Sequence, residues 1–274
     1  MTIPFWKYHG AGNDFILLDF TKSAPSLDIS SLARKLCSRR HSIGADGVLV
    51  LCPSLKADFR MRIFNADGSE PSMCGNGIRC LAKYIFNRRP DLAEVSIESP
   101  HAVHKCRQYE SEVGVQMGIP SVLHWQVPFE NKELFVVHTG VPHAVLFVEK
   151  LDDVEVNDLG RKIRFHPQFS PEGVNVNFVT ITPERQVALR TYERGVEAET
   201  LACGTGAAAA AFVAMKLGYG SSPVSILTRS TFDSSEIAYE QQMRFLFSQD
   251  QLEMIGGAEE VFEGAIDLSV LFPT

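Results

Sequence analysis

The sequence lacks the features that mark membrane-spanning, nucleic-acid-binding and exported proteins. Its longest apolar run, at 207–215, is nine residues long, well short of the ~20 that a transmembrane helix needs. Acidic residues outnumber basic ones by 33 to 26, giving a formal net charge of −7, which disfavours nucleic acid or an anionic membrane as a partner. Because no basic leader precedes an apolar segment at the N-terminus, we expect a cytoplasmic protein.

Patterns typical of metal sites and disulfide frameworks are also missing. No two of the six cysteines are separated by two residues, and their spacing is irregular, so we expect free thiols and no metal. With 45% hydrophobic and 22% charged residues, the 274 residues suffice for one large globular domain or two smaller ones. These absences leave small polar molecules as the class of ligand to consider.

The chain contains an internal repeat. The segment CGNG at 74–77 recurs as CGTG at 203–206, an offset of 203 − 74 = 129 residues. Two other segments, each a glycine-containing turn followed by an apolar run, recur at almost the same offset: 10–18 as 140–148, and 44–50 as 173–179. Matches in the same order at a nearly constant offset predict a duplicated structural unit.

Each copy of the repeat is predicted to combine strands with one principal helix. Residues 58–65 alternate apolar and polar side chains, as in a half-buried strand. Apolar residues recur with helical spacing over 78–86, which predicts an amphipathic helix with one polar side. The run 207–217 is apolar almost all round, which predicts a buried helix. The chain is expected to cross between the units near 118–120, shortly before a turn at 127–128.

Each copy of the repeated motif places a cysteine immediately before a helix. The unpaired N–H groups and the positive end of the helix macrodipole favour a bound carboxylate there, and they lower the pKa of a cysteine. If the halves face each other across a pseudo-twofold axis, Cys74 and Cys203 converge on one cleft from opposite sides. One thiolate then removes a proton alpha to a carboxylate while the other cysteine returns a proton to the opposite face. The pair of motifs therefore predicts stereochemical inversion.

Other interpretations of the cysteines remain. Either motif alone is compatible with a structural role, because cysteine is often buried and glycine often precedes a helix. A cysteine-protease nucleophile assisted by His143 leaves the second motif unexplained, and a redox-regulated binding protein would join Cys74 and Cys203 in a reversible disulfide. The cysteines without the motif are assigned to packing: Cys37, Cys52, Cys80 and Cys106.

These motifs and the blocks around them resemble the diaminopimelate epimerases, cofactor-independent isomerases of lysine and peptidoglycan precursor synthesis. The resembling blocks span nearly the whole chain: HGAGNDF at 9–15, GADG at 44–47, FNADGSE at 64–70, CGNG at 74–77, GVPH at 140–143, NVNF at 175–178, YERG at 192–195 and ETLACGTG at 199–206.

The resemblance implies an α/β (α+β) fold of two pseudosymmetric lobes, each a barrel-like sheet wrapped around a central helix, with the active site in the cleft between them. The N-terminal lobe would comprise 1–118 plus 263–274, and the C-terminal lobe 119–262. The resemblance also implies a cytoplasmic homodimer that takes a small diamino diacid, uses no cofactor, and binds neither nucleic acid nor membrane.

The same resemblance implies roles for individual residues. Cys74 and Cys203 would be the catalytic bases, with His143 and Glu193 beside the reacting carbon and Glu193 receiving a substrate ammonium. The carboxylate at the reacting carbon would be held by the backbone N–H groups of Gly75, Asn76, Gly204 and Thr205. The distal end of the substrate would be contacted by the side chains of Asn13, Asn65, Asn175 and Arg194. Turn, surface or interior structural roles are the alternatives for these polar side chains.

Two positions of the expected site depart from the family pattern, and a third departure, a glycine in the block 255–260 where proline is usual, is expected to alter a turn only. Gly47 stands where glutamine is frequent, and Val141 stands where asparagine is frequent. Both departures remove polar contacts from the distal end of the expected site. The main hypothesis is epimerisation of LL-2,6-diaminopimelate to meso-2,6-diaminopimelate, and the alternatives are a broader amino-acid racemase or a proline-racemase-like activity.

Overall fold

A computed structural model describes residues 2–22, 27–71, 73–200, 203–230, 239–249 and 251–271. Its strands are β1 (Thr2–Gly10), β2 (Asn13–Asp19), β3 (Gly47–Cys52), β4 (Phe59–Asn65), β5 (Glu94–Glu98), β6 (Val103–Tyr109), β7 (Glu112–Met117), β8 (Ser121–Phe129), β9 (Lys132–His138), β10 (Pro142–Phe147), β11 (Asn175–Ile181), β12 (Val187–Glu193), β13 (Ala198–Thr200), β14 (Val224–Ser230), β15 (Tyr239–Phe247), β16 (Leu252–Gly257) and β17 (Glu259–Asp267).

The helices are α1 (Ile29–Leu36), α2 (Gly75–Arg88), α3 (Val156–Arg164), α4 (Gly204–Lys216) and α5 (Leu268–Leu271). None of these described helices is long and apolar enough to cross a membrane. The chain divides into two compact units, one formed by 1–115 with 256–274 and the other by 116–255. The strand predicted at 58–65 and the two principal helices predicted from apolar spacing are confirmed by β4, α2 and α4.

The first unit wraps its strands around α2. Along the sheet, β17 pairs antiparallel with β1, β1 antiparallel with β2, β2 parallel with β3, β3 antiparallel with β4, β4 parallel with β5, and β5 antiparallel with β6. Helix α2 contacts β1 through β6 and also β17. Because strands from both ends of this series touch the same helix, the sheet curls into a barrel-like layer with α2 as its core.

The second unit repeats this arrangement around α4. Its strands pair in the same order of directions as those of the first unit: antiparallel for β8–β9 and β9–β10, parallel for β10–β11, antiparallel for β11–β12, parallel for β12–β14 and antiparallel for β14–β15. Helix α4 contacts β9 through β12 and β14. The alanines at 207–211 are all fully buried, since small side chains let the surrounding strands approach the helix closely. The predicted duplication and the predicted fold class are confirmed.

Two expectations about local structure require correction. The turn predicted at 127–128 is wrong, because β8 continues to Phe129 and the hairpin turns at 130–131, where Glu130 has a φ of 54°. The side of α2 expected to be polar is also not exposed throughout, since Arg79 is fully buried. Its guanidinium donates to Asn76 Oδ1 at 2.8 Å and to the Gly257 carbonyl at 3.4 Å, which meets part of its hydrogen-bonding demand.

Candidate active site

Cys74 stands directly before the first residue of α2. Its backbone is extended, with φ −148° and ψ 111°, and its sulfur accepts a hydrogen bond from the backbone N–H of Gly77 at 3.4 Å. The sulfur thus occupies the capping position that a serine or aspartate oxygen takes in many helices. The sulfur therefore lies at the positive end of α2, and the residue is only partly buried.

The side chain of Asn13 contacts Cys74. The sulfur lies 3.7 Å from Asn13 Oδ1, and the Asn13 amide donates to Asp46 Oδ2 at 2.7 Å. Asp46 also accepts from the Asp14 backbone N–H at 3.1 Å and from Arg39 at 2.6 Å. The Asp46 carboxylate therefore fixes the amide so that its carbonyl oxygen faces the sulfur.

Asp14 completes this group of charges. Burial alone would raise the pKa of Asp14, but hydrogen bonds and positive charge from Arg39 and Lys7 lower it from 3.8 to about 2. Sequence reasoning assigned no role to Asp14 or Asp46. The signal was present, because both residues lie in glycine-containing blocks that resemble the family: Asp14 follows Asn13 directly, and Asp46 lies in GADG at 44–47.

Cys203 stands before α4 in the same extended conformation, with φ −116° and ψ 103°. Its sulfur is buried and lies 3.4 Å from the hydroxyl of Thr205. Burial and the nearby Glu193 carboxylate raise the pKa of Cys203 to about 12, against the opposing effect of hydrogen bonding by Thr205 and Gly206. The lowered pKa expected at a helix start is therefore wrong for Cys203, because desolvation outweighs the helix dipole.

His143 lies behind Cys203 and is fully buried. Its Nε2 is 3.0 Å from the Thr205 hydroxyl, and its Nδ1 is 3.0 Å from the side-chain amide of Asn177. Burial, assisted by the positive charges of Arg194 and His138, lowers the pKa of His143 from 6.5 to about 3. The imidazole is therefore neutral at physiological pH. Asn177 was not singled out from the sequence, although it lies within the NVNF block.

Glu193 is the last residue of β12, and Arg194 follows it directly. Burial raises the pKa of Glu193. The neighbouring segment is held by Asn175, whose Oδ1 accepts from the Arg194 backbone N–H at 2.9 Å and whose amide donates to the Pro142 carbonyl at 3.1 Å. Asn175 thus joins the start of β11 to the end of β12 and fixes the position of the Glu193-Arg194 pair.

The remaining predicted site residues are distributed between the two units. Asn65 is exposed at the end of β4, where its amide donates to Ser69 at 2.9 Å. This hydrogen bond lies within the turn that precedes Cys74. Of the block at 199–206, Leu201 and Ala202 lie outside the described residues. Gly75, Asn76, Gly204 and Thr205 form the first turns of α2 and α4, where backbone N–H groups face away from the helix body.

The departure at Gly47 has a structural reason. A Cβ atom at this position would lie 2.7 Å from the backbone carbonyl oxygen of Phe64, so a larger residue requires movement of the main chain. The corresponding position in the second unit is occupied by Asn177, and its side chain fits there because residue 206 is a glycine. A Cβ atom on Gly206 would lie 2.3 Å from Asn177 Oδ1.

Each cysteine is also preceded, four residues earlier, by a glutamate in a two-pronged ion pair. Glu70 accepts from Arg62 through both oxygens at 2.8 Å, and Glu199 accepts from Arg190 through both oxygens at 2.7 Å. The side chains of the first pair are about one-third exposed, 37% and 34%, whereas those of the second are 8% and 12% exposed. The repeat therefore includes a clamp before each cysteine, and the second clamp is buried.

The sequence and the fold of this chain are similar to those of known proteins. The family model described as diaminopimelate epimerase matches residues 5–123 and 135–244. The diaminopimelate epimerase of Methanothrix thermoacetophila is 41% identical, with 98% of each chain aligned, and that of Methanocella arvoryzae is 40% identical, with 97% of each chain aligned. Among solved structures, a phenazine biosynthesis protein of the PhzF family from Bacillus anthracis is similar, with a TM-score of 0.71 at 14% identity over 97% of this chain and 99% of that one.

Proposed function

Since the chain belongs to the diaminopimelate epimerase family and is an epimerase, we propose that Cys74 and Cys203 are the two bases through which it interconverts the LL and meso forms of diaminopimelate. The observation that carries this assignment is the duplicated motif, in which a cysteine precedes the central helix of each unit. No other cysteine among the described residues has that position.

The proposed reaction is a pair of proton transfers at one α carbon. One cysteine, as thiolate, takes the α proton, and the C–H electron pair moves into the substrate carboxylate. The other cysteine, as thiol, delivers its proton to the opposite face, so the sulfurs exchange protonation states and the configuration inverts. The raised pKa of Cys203 supports assigning it the thiol role at the start of one direction of the reaction, with Cys74 as the thiolate that takes the proton.

The helix starts are proposed to stabilise the charge that develops. Backbone N–H groups of Gly75, Asn76, Gly204 and Thr205 would bind the carboxylate that receives the electron pair, because helix N-termini are anion sites. Glu193 would accept the substrate ammonium. At the distal end, Arg194 would pair with the second carboxylate, and the amides of Asn13, Asn65 and Asn175 would donate or accept hydrogen bonds.

Several properties of the family are proposed for this chain as well. Both proton transfers run through thiols, so the scheme needs no pyridoxal phosphate and no metal. We further propose that the protein acts as a cytoplasmic homodimer in lysine and peptidoglycan precursor synthesis, with the diamino diacid as its small-molecule partner.

The substrate assignment is tested with purified enzyme and a panel of amino acids. Turnover is followed by chiral chromatography with LL-diaminopimelate, L-glutamate and L-proline under reducing conditions. We expect inversion of diaminopimelate only, because Arg194 and the amides proposed for the distal end would bind an amino-carboxylate group that glutamate and proline lack. Glutamate or proline turned over at a rate comparable to diaminopimelate would contradict the assignment.

A further inference from the structure

Four polar side chains behind Cys203 form a continuous series of hydrogen bonds inside the second unit. The Thr191 hydroxyl donates to Asn177 Oδ1 at 3.0 Å, and the Asn177 amide lies 3.0 Å from His143 Nδ1. His143 Nε2 lies 3.0 Å from the Thr205 hydroxyl, which lies 3.4 Å from the Cys203 sulfur. Strands β10, β11 and β12 each contribute one member, and α4 contributes Thr205.

The direction of this series is fixed by a backbone carbonyl. The Asn177 group that faces His143 Nδ1 also lies 3.3 Å from the carbonyl oxygen of Ala144. A carbonyl oxygen only accepts, so the group facing it must be the amide NH2, and Asn177 Oδ1 is left to accept from Thr191. His143 Nδ1 is therefore an acceptor, and the proton of the neutral imidazole is on Nε2.

The tautomer decides what Thr205 can do. Because Nε2–H donates to the Thr205 oxygen, that oxygen has accepted a hydrogen bond and its own proton is free to point elsewhere. The Cys203 sulfur is the next polar atom in line. A hydroxyl polarised in this way is a stronger donor than an isolated one, since consecutive hydrogen bonds reinforce each other.

We propose that Thr191, Asn177 and His143 orient the Thr205 hydroxyl so that it donates a hydrogen bond to the Cys203 sulfur when that sulfur carries negative charge. The inference rests on the proposed function, in which Cys203 alternates between thiol and thiolate. Thr205 touches the reacting sulfur and is a catalytic residue, whereas Thr191, Asn177 and His143 are positioning residues. His143 serves as a fixed donor and does not itself exchange a proton with substrate.

Burial of these polar side chains costs desolvation free energy, which argues that they do more than fill space. His143 and Asn177 are both fully buried and Thr191 is 3% exposed. Burying polar groups gives little net stability compared with apolar side chains of the same shape. The glycine at 206 is also required by this series, because a Cβ atom there would collide with the Asn177 oxygen.

Alkylation of individual cysteines tests the proposal. Iodoacetamide is applied to the full-length enzyme, and the modification of Cys203 and Cys74 is followed separately by peptide mass spectrometry. We expect Thr205→Val to slow Cys203 alkylation about tenfold at a fixed mildly alkaline pH, as for loss of a hydrogen bond to a charged group. Thr205→Ser should restore the rate, and Asn177→Leu should slow it less than Thr205→Val, because the hydroxyl remains but loses its orientation.

Internal controls separate this effect from damage to the fold. Cys74 lies in the other unit, and its alkylation rate should not change in any of these variants. Glu193→Gln should accelerate Cys203 alkylation, since Glu193 is the carboxylate that raises the Cys203 pKa. An unchanged Cys203 rate in Thr205→Val, a Ser variant as slow as the Val variant, or equal slowing at both cysteines would each overturn the proposal.

A measurement on the unmodified protein keeps the proposal testable if the variants do not fold. NMR of imidazole nitrogens in histidine-labelled enzyme should show His143 with a proton on Nε2 and none on Nδ1 between about pH 5 and 8. A proton on Nδ1, or titration near the ordinary value of 6.5, would refute the direction of the series. Neither readout depends on the substrate, so failure of the substrate assignment would leave these results separately interpretable.

Discussion

The residues around Cys74 and those around Cys203 share one backbone plan and differ in their charges. We call Asn13, Asp46, Cys74, Asn76 and Arg79 the Cys74 site, and His143, Asn177, Glu193, Cys203 and Thr205 the Cys203 site. In both sites the cysteine is extended and precedes the central helix of its unit. The Cys74 site contains the buried guanidinium of Arg79 and the carboxylate of Asp46, which accepts a hydrogen bond from Asn13. The Cys203 site contains the neutral imidazole of His143 and the carboxylate of Glu193 near the sulfur.

The strand register shows where the two sites diverge. Phe15 is paired with Gly47 on the parallel strands of the first unit, and its counterpart Val145 is paired with Asn177 in the second. The strand register therefore makes Gly47 equivalent to Asn177, one residue beyond the position that the sequence match of 44–50 with 173–179 gives. The first unit has no side chain at this position, so no series like that behind Cys203 can pass through it. The repeated backbone thus places both sulfurs alike, and the side-chain differences give the two sulfurs different polar neighbours.

The largest expected effect tests whether both cysteines are needed. Cys74→Ala and Cys203→Ala should each reduce turnover of diaminopimelate by a factor of about 100 to 10,000, the range for loss of a general acid or base. Cys52→Ala serves as the control, since Cys52 is only partly buried and lacks the helix motif. Initial rates under reducing conditions provide the measurement, and full activity in either active-site variant would contradict the two-base scheme.

Matched glycine substitutions sharpen the comparison of the two motifs. A Cβ atom on Gly206 meets the hydrogen-bonded oxygen of Asn177 at 2.3 Å, whereas one on Gly77 meets a methyl group of Leu49 at 2.8 Å. We expect Gly206→Ala to slow Cys203 alkylation by displacing Asn177 and, as for Asn177→Leu, by less than the roughly tenfold expected for Thr205→Val. Gly77→Ala should instead cost about 1–3 kcal/mol of stability through overpacking and leave Cys203 alkylation unchanged. Equal effects of both variants on Cys203 would remove the distinction between the sites.

The two arginine–glutamate clamps should differ in their contribution to stability. Glu199→Gln leaves the Arg190 guanidinium buried without its charge partner, and breaking a buried pair costs about 3–5 kcal/mol. Glu70→Gln removes a more exposed pair and should cost less than about 1 kcal/mol. Urea unfolding of both variants at neutral pH measures the difference. A loss for Glu70→Gln as large as that for Glu199→Gln would show that burial does not set the strength of these clamps.

The smallest expected effect concerns the acid stability that Asp14, hydrogen-bonded beside Asp46 in the first unit, gives to the fold. The folded-state pKa of Asp14 is lowered from 3.8 to about 2, so its carboxylate stabilises the fold above the unfolded-state pKa. That contribution is lost as the pH falls through this interval towards about 2. The stability advantage of the wild type over Asp14→Asn should therefore shrink on acidification, as followed by urea unfolding at several pH values. Asp152→Asn, at an exposed position, is the control, and a constant difference for Asp14→Asn would contradict the assignment.

The sequence predicted the positions of the two central helices and their cysteines better than it predicted the pKa values of the side chains around them. Apolar spacing and the CGNG and CGTG segments identified α2, α4 and the two cysteines, because helical periodicity and a repeat are local properties of the chain. The raised pKa of Cys203 and the lowered pKa of His143 depend on burial among β10, β11, β12 and α4, which no local pattern encodes. Asn177 was missed for the same reason, since its partners come from strands far apart in sequence.

The fate of solvent deuterium tests the central claim most directly. The enzyme is mixed with LL-diaminopimelate in deuterium oxide, and the early product and the remaining substrate are analysed by mass spectrometry. If Cys74 and Cys203 act from opposite faces, the meso product carries one deuterium at the inverted carbon while the residual LL substrate carries almost none. Deuterium appearing equally in product and residual substrate from the start would show a single base and contradict the account.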